Sequence, residues 1–93
     1  MPSIDIRHRH KKPLKEAKVA VGEVAVEIAR KFDLTYAWKG NVLHFERSGV
    51  NGQIGLEKDE VHVTAELGFL LGMLKPAIEK EISKRLQEHF GTA

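Results

Sequence analysis

Three groups of side chains in this chain have types and spacings that could do chemistry. His8 and His10 lie two apart, so an extended strand would place both imidazoles on one face, where they could hold a metal given a further ligand. His44 or His62 could supply that ligand, but each is out of phase with the apolar residues of its own segment and is expected to face solvent. The pair therefore reads better as part of a charged strand edge, and no metal is expected. Arg7, Arg9, Lys11 and Lys12 make a basic arm able to meet phosphates or an acidic partner, the plain alternative being a solvated charge run. The third group is the segment Leu67-Gly68-Phe69-Leu70-Leu71-Gly72-Met73-Leu74, which as a helix would be apolar nearly all round. One domain face cannot bury all of it. Leu70, Leu71 and Leu74 could join a core stripe, leaving Phe69 and Met73 toward its flank as a subunit contact in a homodimer or as an adsorbing surface; alternatively a small sheet curls over both. Phe69, Leu70, Met73 and Leu74 are the residues expected to form a hydrophobic contact surface.

Catalytic signatures are missing. There is no G-x-S-x-G, no H-E-x-x-H, no G-x-x-x-x-G-K and no G-x-G-x-x-G. The hydroxyls of Ser3, Thr35, Ser48, Thr64 and Ser83 have no His and acid at a telling spacing, and His44 with Glu46 reads as solvated strand surface. Neither an enzyme nor a cofactor is expected. Nucleic-acid binding is also disfavoured: Tyr36, Trp38 and Phe45 look like core rather than stacking platforms, and the Gly49-Val50-Asn51-Gly52 match to a G-x-x-G clamp lies between strands.

The elements that must position these groups follow from periodicity. Ile4, Ile6, His8 and His10 alternate with Asp5, Arg7 and Arg9 in a first strand. Pro13 suits the first turn of a helix, and Leu14, Ala17, Val21, Val24, Ala25, Ile28 and Phe32 form its apolar stripe. Leu34, Tyr36 and Trp38, then Leu43 and Phe45, alternate on either side of Lys39-Gly40-Asn41, predicting a hairpin. Ser48 to Gly52 reads as a second connection, Ile54 and Leu56 as a strand, Lys58-Asp59-Glu60 as a turn, and Val61, Val63, Ala65 and Leu67 as the last strand. From Gly68 the period is helical through Phe90, with Pro76 expected to split it into pieces at about 68–74 and 76–90. The result is an α+β domain, β-α-β-β-β-β-α, an antiparallel sheet with both helices packed on one face.

Composition sets the outer bounds. A chain of 93 residues without cysteine is expected to fold as a single domain, 1–93, carrying a basic strand or arm at 3–12, and must hold together by burial alone. No transmembrane span or export signal is evident, and the expected location is the cytoplasm. Residues 1–31 carry eight Lys or Arg against four acids, while residues 32–93 carry seven against nine, so the net charge of +2 is concentrated in the arm.

Four stretches taken together resemble a known family: Ile4-Asp5-Ile6-Arg7 with His10, the Ala-rich first helix, Leu43-His44-Phe45-Glu46-Arg47-Ser48-Gly49-Val50 with Gly52, and Ala65-Glu66-Leu67-Gly68-Phe69-Leu70-Leu71-Gly72. They are similar to the polyhydroxyalkanoic acid system family, small bacterial proteins associated with the machinery that makes and stores polyhydroxyalkanoate polyester. The resemblance implies a non-enzymatic accessory role and a polyester granule surface or granule protein as partner, with granule association within the cytoplasm. It supplies no catalytic residue. Two other readings stay open: a small hydrophobic-ligand carrier of helix-grip type, and a weak nucleic-acid-binding regulator using the basic arm.

Overall fold

The computed structural model describes residues 3–68 and 71–91. Its elements are β1 (Ser3–Arg9), α1 (Leu14–Phe32), β2 (Thr35–Lys39), β3 (Val42–Arg47), β4 (Val50–Leu56), β5 (Glu60–Leu67), a single 3-10 turn at Leu71–Leu74, and α2 (Lys75–Phe90). The sheet order is β1-β5-β4-β3-β2, and every neighbouring pair is antiparallel. The expected class and element order hold. β1 closes the sheet beside β5, and α1 spans the distance from that edge to β2 at the other.

Alternation decides which face is covered. Ile4, Val61, Val63, Ala65, Leu67, Ile54, Leu56, Leu43 and Phe45 point to one side and are buried against Ala17, Val21, Val24, Ala25 and Ile28 of α1 and Ile78, Ile82 and Leu86 of α2. The opposite face carries Asp5, Arg7, Gln53, His62, Thr64 and His44 among others, and needs no cover.

Several sequence expectations shift in detail. The connection placed at Ser48–Gly52 is a two-residue turn, Ser48-Gly49, and β4 begins at Val50. Gly52 is inside that strand because the sheet is tightest there: a Cβ at this position would lie 2.7 Å from the Thr64 carbonyl oxygen and 2.8 Å from both the Ala65 Cβ and the Phe45 ring. Leu14, expected in the core stripe, is 47% exposed at the first position of α1. Tyr36, expected in the core with Trp38 and Phe45, is 43% exposed because its strand is the sheet's far edge. Leu74, which could have joined either the core stripe or the contact surface, is exposed, since α2 starts only at Lys75 and the preceding piece is a 3-10 turn whose period does not continue the helical stripe.

The crowding at Gly52 makes a test of the fold. Gly52→Ala should lower the unfolding free energy by roughly 1–3 kcal/mol, the usual cost of overpacking, because the three clashing groups sit on the strands flanking β4, two on β5 and one on β3, and one of them is backbone. Urea denaturation of both proteins measures it, and an unchanged midpoint would show that β4 and β5 are not held as closely as described.

Candidate functional site

The two ends of the sheet differ. At the end where β5 finishes, the chain leaves through Gly68, whose N–H donates to the Gly49 carbonyl at 2.7 Å, and Gly72 N–H then donates to the Gly68 carbonyl at 2.9 Å. Leu71 packs against the core and lies over Gly49, where a Cβ would meet the Leu71 side chain at 2.9 Å and where φ is +87°. The turn is thus pinned by backbone bonds and one leucine, while the next two side chains point outward: Met73 is 85% exposed and Leu74 45%. Pro76 and Ala77 are exposed beside them. Phe69 and Leu70, the other two residues of the expected contact surface, lie outside the described residues.

The basic arm is divided between two places. Arg7 and Arg9 stand on β1 facing the open side of the sheet, and Arg7 donates to Glu60 at 2.7 Å, which holds the Glu60 carboxyl below its ordinary range. Lys11 and Lys12 lie on the link between β1 and α1. Of the strand or arm expected at 3–12, residues 3–9 form the strand, paired with β5 along their whole length.

The histidines differ from the solvated edge expected of them. His10 is 2% exposed: its Nδ1 accepts the Lys12 N–H at 3.1 Å, and its ring centroid lies 5.2 Å from that of Phe90. His8 donates from Nε2 to the Gly91 carbonyl at 2.7 Å. Both therefore face the covered side of the sheet and seat the end of α2, since α2 and not solvent lies over β1. His62 instead donates to Asp5 across the open face at 2.7 Å. Among the described residues no group of three potential metal ligands forms.

One constellation escaped the sequence reading. Glu23, Glu27 and Lys31 on α1 meet Glu81, Arg85 and His89 on α2 along the seam between the helices, and Glu88 joins them through Arg85 on its own helix. Glu81 is buried at 7% exposure and accepts from Lys31 at 2.8 Å and from Arg85. Arg85 also donates to Glu27 at 2.9 Å, and His89 donates to the other oxygen of Glu27. The spacing of four within each helix, 23-27-31 and 81-85-89, was the available signal. Nothing in either helix alone says which partner the other supplies. The arrangement joins the helices; no nucleophile stands in it.

A family model described as "Putative polyhydroxyalkanoic acid system protein" matches residues 4–90. The chain belongs to that family. The match runs from the second residue of β1 to the last residue of α2, so it takes in both helices, all five strands but for Ser3, and the turn before α2. No curated protein and no solved structure matches the chain. No helix among the described residues of this family member is long and apolar enough to cross a membrane.

The seam has a pH signature. Hydrogen bonds from Lys31 and then Arg85 pull the Glu81 carboxyl below its ordinary value of 4.5, outweighing the opposite effect of burial. A carboxyl whose folded value is depressed adds stability that is fully present above its unfolded value and lost as pH falls through the folded one. Glu81→Gln should therefore cost about 1–2 kcal/mol at neutral pH, a modest figure because Lys31 is half exposed and can return to water. The deficit should shrink steadily below about pH 4.5. Urea unfolding of the two proteins at neutral and acid pH tests this, and a deficit independent of pH would show that the carboxylate charge is not what stabilises the seam.

Proposed function

We propose that this protein is a non-enzymatic accessory factor of polyhydroxyalkanoate storage in the cytoplasm, working by surface contact with the polyester granule or a protein on it. The observation that carries the reading is the exposed pair Met73 and Leu74, at 85% and 45%, on a turn fixed to the sheet by Gly68, Gly49 and Leu71. Large apolar side chains displayed on a pinned turn lose little entropy on binding, and transferring each from water to an apolar surface contributes roughly 1.5–3 kcal/mol when complete. A polyester granule offers such a surface. Membership of the polyhydroxyalkanoic acid system family supports the metabolic setting.

The geometry favours contact over carriage. A helix-grip carrier needs a roomy apolar cavity between sheet and helix, whereas the space enclosed by Ala25, Ile28, Leu34, Phe45 and Ile54 is only about 10 Å³, hardly enough for one water.

Met73→Asp with Leu74→Asp is the direct test. Both side chains are exposed, so the fold should survive, as circular dichroism and an unchanged urea midpoint would show. Co-sedimentation with purified polyester granules should fall by about tenfold or more, given the apolar transfer energy lost. Undiminished binding would remove this turn as the contact surface.

A further inference from the structure

At the other end of the sheet, a cleft of about 490 Å³ opens between the start of α1 and the loops joining β2 to β3 and β4 to β5. It is lined by Lys11, Lys12 and Lys58 together with Leu14, Leu56 and Asn41. We propose that this cleft binds a small anionic amphiphile, a carboxylate or phosphate head group on a short apolar chain. The inference goes beyond the contact reading and does not depend on it.

Charge comes first. The three lysines belong to two separate segments that the fold brings together, and among the described residues none of them is paired with a carboxylate. Like charges gathered in a concave site raise the local potential and favour an anion there. The uncapped start of α1 adds to this, since Pro13 supplies no side-chain cap and Glu16 is the sole acid of the first turn.

The apolar part of the lining selects for a chain on the anion. Leu14 is 47% exposed and departs from the core stripe to which its spacing assigns it; here it stands in the cleft wall, beside the small uncovered edge of Leu56, which is otherwise core. A site for inorganic anions alone gains nothing from an exposed leucine, and a site for a neutral hydrocarbon gains nothing from three ammonium groups.

The cleft is also held in shape by bonds between its walls. The His10 N–H donates to the Asp59 carbonyl at 3.0 Å, tying the end of β1 to the loop that carries Lys58. The buried His10 ring accepts the Lys12 N–H at 3.1 Å, which sets the backbone from which Lys12 and Lys11 extend. The Leu56 N–H donates to the Asn41 carbonyl at 3.0 Å and joins the remaining wall. A site whose lining segments are already bonded to one another loses little order on binding.

The test uses the full chain and three probes: octanoate, octyl phosphate and inorganic phosphate, followed by amide chemical shifts. Octanoate or octyl phosphate should shift Leu14, Lys15, Asn41 and Lys58 saturably and leave Met73 and Leu74 still, with inorganic phosphate about tenfold weaker or worse. Which of the two octyl probes binds tighter identifies the head group. Lys12→Gln with Lys58→Gln should weaken the octyl probe about tenfold, and Leu14→Asn should remove the advantage of the chain while leaving inorganic phosphate unchanged. Equal affinity for octyl and inorganic phosphate, shifts centred on Met73 and Leu74, or binding indifferent to the lysine pair would each overturn the site. The Met73→Asp, Leu74→Asp protein should bind the octyl probe normally, so failure of granule contact and failure of this cleft are separable.

Discussion

An antiparallel sheet whose large apolar residues fall almost all on one side must be roofed on that side, and much else in this molecule follows from how the roof is made. Two helices do it. α1 brings alanines and valines close to the sheet, where small side chains allow tight approach, and α2 completes the cover over β1 with Ile78, Ile82 and Leu86. The seam between the helices cannot be wholly apolar, because it reaches solvent. Its edge is closed instead by carboxylates and cations drawn from both helices, with Glu81 buried between Lys31 and Arg85.

Roofing the sheet from one side leaves its two ends free to differ. At one end β5 runs into a turn held by the Gly68–Gly49 backbone bond and by Leu71, and the apolar excess of the chain is presented outward as Met73 and Leu74. At the other, His8 and His10 seat the end of α2, and the same buried His10 orders the link that carries Lys11 and Lys12. The surfaces so produced are chemically opposed, one apolar and unpaired, the other cationic with an apolar wall.

Much of this was readable from residue order. Alternation in Ile4–His10, Leu43–Phe45 and Val61–Leu67 gave the strands their faces, and the three- and four-residue steps of Val21, Val24, Ala25 and Ile28 gave α1 its buried side. The misreadings have a common cause. Leu14 and Tyr36 each fit the period of their element, yet one lies at a helix's first position and the other on an edge strand, where the pattern continues but the opposing layer does not. Gly52 erred the other way: a glycine near a turn looks like part of the turn until the Phe45 ring and the Thr64 carbonyl on neighbouring strands claim the space.

The sequence by itself determined the element order, the one-sided burial, the basic opening segment and the local apolar excess before α2, because each depends on spacing within a few residues. Only the tertiary structure decided which groups meet. That Glu81 pairs with Lys31, fifty residues away, that His10 is buried beneath Phe90 rather than displayed on an edge, and that Lys58 joins Lys11 and Lys12 are consequences of strand order and helix placement. A periodic pattern specifies a face. It does not specify what is laid against that face, and the chemistry of this protein is set by those opposing partners.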